Sequence, residues 1–320
     1  MRGPPSSGDA NSVLSEELSY VSWRDPLWKR WTMRAIENLS GRRRLLPIYH
    51  RWRATVAGSD PRMMRALLGM LGTRLDVQAP AWPIAVPSEI PLVVIANHPF
   101  GIGDGIAVLA LAEELGRPYR ILINSDFMKL PEIRPYALPI DFSASREAIA
   151  TNLRSRTDAR RLLKQGVTIV VFPAGGVATA EAPAGKAEEL PWKAFTARLI
   201  QQAQAAVLPV YFEGQNSALF HLISRYSLML RLSLLVSEFR HFVGATVRVH
   251  VGALVPFAEL ACRADRSALT DELYALVHRL APEVAGLGPE HLRPRPAAAR
   301  RRYPWDPPRK VKPELSPQSG

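Results

Sequence analysis

The 320-residue chain has a single cysteine, Cys262. One thiol excludes an internal disulfide and a Cys-rich zinc site, and gives no sign of an oxidising compartment. Acids are also in short supply: 29 Asp/Glu stand against 41 Lys/Arg, for a net charge of +12 and a pI near 10.2. A surface of that sign favours negative partners such as phospholipid head groups, nucleic acid or a phosphorylated substrate. There is no uninterrupted apolar run of about 18 residues, so no transmembrane helix is expected. The longest candidates, 91–97 and 105–112, are separated by His98, two glycines and Asp104. Residues 1–22 are polar and rich in Gly, Pro and Ser, without the apolar core of a signal peptide. No G-x-S-x-G elbow, zinc-finger spacing, RNP-like aromatic strand or internal repeat occurs, so no specific nucleic-acid partner is expected. His221, His241 and His250 lack metal-ligand spacing, so no metal is expected either.

What is present divides into four parts. Residues 1–22 read as a disordered tail. Residues 23–80 form a basic, Trp-rich helical region, with helices over 26–39 and 61–75. Between 23 and 55, nine Lys/Arg face only Asp25 and Glu37, and Trp23, Trp28, Trp31 and Trp52 are interleaved with them. Tryptophan rings suit the head-group level of a bilayer and Lys/Arg attract anionic lipid. This region, to residue 56, is therefore the expected docking surface for an anionic membrane. Residues 282–320 are Pro- and Arg-rich and read as a second disordered tail.

The central part, 81–281, alternates short apolar runs with helical periodicity after a Pro-rich connector over 80–91. Strands are expected at 91–97 (PLVVIAN), 119–124 (YRILIN), 167–172 (VTIVVF), 207–212 (VLPVYF) and 246–251 (TVRVHV). Helices are expected at 105–115, 146–165, 192–205, 217–242 and 266–280. The alternation predicts an α/β domain: a mixed, largely parallel central sheet flanked by helices.

Three blocks carry chemistry. The first, Asn97-His98-Pro99-Phe100-Gly101-Ile102-Gly103-Asp104-Gly105, runs from a strand end into a helix. In open α/β sheets, ligand sites gather at the carboxyl ends of strands. Asp104 can fold back onto one ring nitrogen of His98, leaving the other nitrogen as a base. The second is Phe172-Pro173-Ala174-Gly175-Gly176, where the glycines can open backbone N–H groups toward an anion or oxyanion. The third runs from Val207 to Ser217. Pro209 implies an edge strand or a bulge, while Glu213 and Asn216 crowd polar groups beyond the strand end.

In this order and at these intervals, the blocks resemble the glycerolipid acyltransferase superfamily, over about residues 90–260. The fit is closest to the bacterial lysophospholipid acyltransferase branch often labelled hemolysin-like, whose H-P-x-G-x-x-D-G motif matches residues 98–105. The resemblance implies transfer of a fatty acyl group from a thioester to a lipid hydroxyl, with His98 as general base and Asp104 as its partner. The co-substrate would be acyl-CoA or acyl carrier protein, with no resident cofactor. Asn97, Gly101, Gly103, Phe172, Pro173, Gly175, Gly176, Pro209, Glu213 and Asn216 would bind substrate, with the N–H groups near Gly175 and Gly176 facing the oxyanion. The family's F-P-E-G-T-R block, which reads the acceptor's phosphate, corresponds to 172–177, where its acid, hydroxyl and arginine are absent. Lysophosphatidic acid is the default acceptor, and the altered block makes a lyso-aminolipid such as lyso-ornithine lipid the alternative. A non-catalytic basic lipid- or nucleic-acid-binding protein is the other reading. The expected location is cytoplasmic and peripheral, on the inner face of the cell membrane.

Overall fold

The computed structural model of the chain describes residues 42–143, 145–226, 228–262, 265–284 and Leu292. The expected tail at 1–22 and helix at 26–39 lie outside the described residues. So does the Pro/Arg-rich tail, apart from a 3-10 turn at Pro282–Val284 and Leu292.

In chain order the elements are α1 (Arg42–Thr55), α2 (Met63–Met70), β1 (Arg74–Gln78), β2 (Leu92–Ala96), α3 (Ile102–Glu114), β3 (Tyr119–Asn124), β4 (Ala137–Ile140), α4 (Arg146–Lys164) and β5 (Thr168–Val171). A small hairpin of β6 (Thr179–Ala180) and β7 (Ala187–Glu188) follows. Then come α5 (Phe195–Ala203), β8 (Ala206–Phe212), α6 (Ala218–Ser224), α7 (Leu228–Phe242), β9 (Thr246–Val251), α8 (Phe257–Leu260) and α9 (Arg266–His278). Seven strands form one sheet in the order β1-β9-β8-β2-β5-β3-β4. All neighbours are parallel except β8 and β9. The sheet is mixed and mostly parallel, as the alternating pattern predicts.

β2 lies at the centre, between β8 and β5, and every residue of it is buried. A strand covered on both faces reads as a continuous apolar run, which is why LVVIA shows no alternation. Its two faces still separate by the period of two. Leu92, Val94 and Ala96 join the cluster that holds Met63, Met64, Val108 and Leu111 from α2 and α3. Val93 and Ile95 join the cluster that holds Leu163, Ala197, Ile200 and Leu273 from α4, α5 and α9. Each of the Val, Leu, Ile and Met side chains among these contributes about 1.5–3 kcal/mol on burial. The parallel register brings the carboxyl ends of β2, β5 and β8 to one edge, where the three sequence blocks begin.

Several expectations need correcting. The helix read over 61–75 stops at Met70, and Arg74–Gln78 is instead the edge strand β1, paired in parallel with β9. Its RLDVQ sequence is half exposed and polar, so it carries no buried-strand signal. β4, another short edge strand, went unrecognised because Pro139 interrupts it. The helical stretch over 217–242 breaks at Arg225 and Tyr226 into α6 and α7. Pro209 is not at an edge: it pairs with Ile95 of β2 inside the sheet, and its carbonyl accepts the Gly252 N–H at 3.0 Å. A bulge does occur there. Val207 bridges Val255 while Val210 pairs Val251, so four steps on one strand match three on the other.

Trp52 also departs from the head-group role expected of it. It is 2% exposed and packs in the core, and its indole N–H donates to the Met63 carbonyl at 2.8 Å. Arg53 pairs with Glu132 at 2.7 Å, and the Tyr49 hydroxyl donates to the same carboxylate at 3.0 Å. This end of the basic region is bound to the domain. Among the described residues, no helix is long and apolar enough to cross a membrane.

Candidate active site

The site begins where β2 ends. The Asn97 side chain continues the ladder between β2 and β8: its Nδ2 donates to the Phe212 carbonyl at 3.0 Å, and its Oδ1 accepts the Phe212 N–H at 2.7 Å. Both ends of the amide are used, so Asn97 fixes the two strand ends against each other. The next residue, His98, is held by its backbone on both sides. Its N–H donates to Glu189 Oε1 at 2.9 Å, and its carbonyl accepts the Ala178 N–H at 2.8 Å.

Gly101 then turns the chain into α3 with φ +89°, a conformation that L side chains rarely adopt. Asp104 falls in the first turn of α3 and is fully buried. The peptide dipoles at a helix N-terminus favour a carboxylate by about 0.3–1 kcal/mol. Asp104 Oδ2 accepts the Phe100 N–H at 2.8 Å. Its Oδ1 lies 3.0 Å from His98 Nδ1 without meeting hydrogen-bond geometry, so both buried atoms stand without a hydrogen-bond partner. An orphaned buried polar atom costs about 1–3 kcal/mol, which favours pairing of an Nδ1–H with the Oδ1 that faces it. Gly103 lets this turn approach α7 closely, since a Cβ there would lie 2.4 Å from the Phe242 ring.

The imidazole is 16% exposed, and its other face is covered by Phe172, whose ring stacks on it at a centroid distance of 4.1 Å. Phe172 and Pro173 follow β5, so the second block brings its first residue onto the histidine. Gly175 has φ +68°, and its N–H donates to the Phe172 carbonyl at 2.9 Å, closing the turn. That donor is consumed and does not face an oxyanion. Among the described residues, the Gly176 N–H makes no hydrogen bond, so of the two it is the donor left open. Paired with Asp104 through Nδ1, the neutral ring would carry its proton there and keep a lone pair on Nε2. The arrangement can accept a proton from a hydroxyl delivered to the strand edge, and then release it.

The sequence model of the acyltransferase family matches residues 87–262, more than half of the chain and all of this site. The chain belongs to the acyltransferase family. It is similar to the lyso-glycine lipid O-acyltransferase of Phocaeicola vulgatus, at 29% identity over 144 residues (42% of this chain and 47% of that protein). It is also similar to the lyso-glycine lipid O-acyltransferase of Bacteroides thetaiotaomicron, at 30% identity over 145 residues (42% of this chain and 48% of that protein). The chain spans about half the length of the curated relatives it matches.

The third block stands apart from the imidazole. Glu213 and Asn216 line a cleft of about 590 Å³ together with Phe100, Gly103, Glu238 and Arg248. That cleft shares a wall with the His98 loop, but neither His98 nor Asp104 lines it. Glu213 is engaged by His250 and by Arg248, the latter at 3.4 Å. Asn216 is buried with its Nδ2 unpartnered. Pro209, expected to bind substrate, is buried within β8 against Gly252, well short of the strand end.

Two residues escaped the sequence reading. Glu189, just after β7, is a buried carboxylate with three donors: the His98 N–H, the Trp192 indole N–H at 3.0 Å and His278 Nε2 at 3.0 Å. It clamps the histidine loop from outside, as Asp104 does from within. Lys193 stands beside the glycine turn: its N–H donates to the Pro173 carbonyl at 3.1 Å, and its Nζ lies 2.7 Å from where a Gly175 Cβ would be. Both lie in Glu189-Leu190-Pro191-Trp192-Lys193, a loop between β7 and α5; the helix expected from residue 192 begins at Phe195. Only an acid and a lysine beside a buried Trp marked it.

Proposed function

We propose that this chain is an O-acyltransferase that moves a fatty acyl group from acyl-CoA or acyl carrier protein to the hydroxyl of a lyso-aminolipid. The carrying observation is the imidazole of His98 at the end of the central strand, 3.0 Å from a fully buried carboxylate. His98 Nε2 takes the proton of the acceptor hydroxyl, and the oxygen attacks the thioester carbonyl. The tetrahedral intermediate collapses with cleavage of the C–S bond, and the imidazolium returns the proton to the departing thiolate. The products are an ester and a free thiol. Asp104 orients the ring and steadies the imidazolium, while the open N–H of Gly176 serves the oxyanion. A positioned base supplies roughly 10²–10⁴-fold; donors and orientation supply the remainder.

The two relatives' names and the loss of the phosphate-reading acid and arginine at 174 and 177 both support a lyso-aminolipid acceptor over lysophosphatidic acid. The protein works as a peripheral enzyme on the cytoplasmic face of the membrane. In support, Phe142 is 53% exposed beside the glycine turn, and Ile149 and Leu153, one helical turn apart on α4, are each 64% exposed among arginines. Residues 23–41 carry further basic and aromatic side chains of the kind that suit an anionic bilayer.

The test is acceptor-dependent thiol release from acyl-CoA and from acyl carrier protein, with a lyso-glycine lipid and with lysophosphatidic acid. Ester formation on the lyso-glycine lipid is expected. Vesicle or DNA binding without turnover of any acceptor would replace the enzyme by a binding protein.

A further inference from the structure

The position equivalent to the arginine of the F-P-E-G-T-R block is Val177, which is buried in an apolar cluster with Phe220, Leu234 and Leu235. Nothing at 177 can meet an anion. The glycine turn is nevertheless not without positive charge. Lys193 holds its ammonium against Gly175 and 4.7 Å from the Phe142 ring centroid. Arg156, from α4, lies 5.0 Å over the ring of Phe195, which opens α5 two residues after Lys193. Neither side chain has an acidic partner among the described residues. Burial of the ammonium, and then the charge of Arg156, hold the Lys193 pKa below the ordinary lysine range, although the residue as a whole stays open to solvent. Two like charges that act on each other without a counter-ion are stabilised by an anion that binds near both.

We propose that Lys193 and Arg156 form the site for the anionic head group of the acceptor lipid, replacing the cation missing at Val177. This deepens the acyltransferase reading and rests on it. The connection to the chemistry is short. Lys193 abuts Gly175, whose N–H is tied to the Phe172 carbonyl, and the Phe172 ring stacks on His98. An acceptor anchored by a carboxylate or a phosphate at Lys193 would present a nearby hydroxyl to His98 Nε2. The ammonium suits either anion as a point charge, and the guanidinium adds a planar fork.

The test uses full-length protein and short-chain acceptors below their micelle concentration: an N-(3-hydroxyacyl)glycine and its methyl ester, and lysophosphatidic acid beside a monoacylglycerol. Binding and kcat/KM are measured for wild type, Lys193→Met, Lys193→Arg and Arg156→Ala, with a thermal melt to confirm folding. Wild type is expected to prefer at least one anionic acceptor over its neutral counterpart by 10-fold or more, chiefly through KM. Whichever pair shows the preference identifies the anion as carboxylate or phosphate. Lys193→Met is expected to lose most of that preference, Arg156→Ala part of it, and Lys193→Arg to keep it. Equal handling of charged and neutral acceptors by wild type, or an undiminished preference in Lys193→Met, overturns the site. Anion-selective binding lost in Lys193→Met, but with no acyl transfer to any acceptor, would sustain the site and refute the acyltransferase reading instead.

Discussion

Replacing Asp104 by Asn isolates the role of one carboxylate without changing its size. In the wild type, Oδ2 accepts the Phe100 N–H at 2.8 Å while Oδ1 faces His98 Nδ1 at 3.0 Å. An asparagine has one acceptor oxygen and one NH₂. Phe100 requires the oxygen, so the NH₂ faces the imidazole and turns Nδ1 into an acceptor. The neutral ring must then carry its proton on Nε2, where a base needs a lone pair. The expected loss is the general-base contribution, about 10²–10⁴-fold in kcat, or about 3–5 kcal/mol at 1.36 kcal/mol per tenfold. KM should hold close to its wild-type value, because no ground-state contact is removed. Stability should fall by only about 0.3–1 kcal/mol from the lost interaction with the α3 N-terminus. The assay is acceptor-dependent release of the donor thiol, with circular dichroism to confirm the fold. A folded Asp104→Asn protein with undiminished kcat would refute the reasoning.

Other consequences can be checked alongside. Glu189→Gln keeps an oxygen for the His98 N–H but sets an NH₂ against the Trp192 and His278 donors; a mispaired buried group costs about 1–3 kcal/mol. A drop of several degrees in Tm and a fall in kcat near tenfold are expected, and an unchanged melt would contradict the clamp. Gly103→Ala drives a methyl into the Phe242 ring, an overpacking of about 1–3 kcal/mol. Phe242→Leu in the same chain should restore part of the stability and activity, whereas no rescue would point to a different source of strain. Trp52→Ala should destabilise by about 3–5 kcal/mol in a denaturant titration while the remaining folded protein binds anionic vesicles as before. Weakened vesicle binding with unchanged stability would return Trp52 to the membrane.

The sequence made the central part of the fold legible because the inner strands are continuous apolar runs with clear stops. YRILIN spans Tyr119–Asn124 without adjustment. The elements it hid are those without a long enough apolar or alternating run: the polar edge strand Arg74–Gln78, the proline-containing Ala137–Ile140 and the two-residue arms of the hairpin. The closeness of His98 and Asp104 is readable because both residues fall in one nine-residue segment and the intervening glycines announce the turn. Glu189 and Lys193 were not readable, since their significance comes from a loop folding about 90 residues away onto the end of β2 and beside the turn after β5. Trp52 shows the opposite failure. Its basic neighbours suggest a surface, whereas the ring fills a core position that only the packing of α1 on α2 creates.

The account depends most on the imidazole of His98 as the base. The direct measurement is thioester turnover by His98→Ala with acyl-CoA and a lyso-glycine lipid, beside a thermal melt of the same protein. Loss of acceptor-dependent turnover to the uncatalysed background, with folding retained, is the expected result. Wild-type turnover by the folded variant would contradict it.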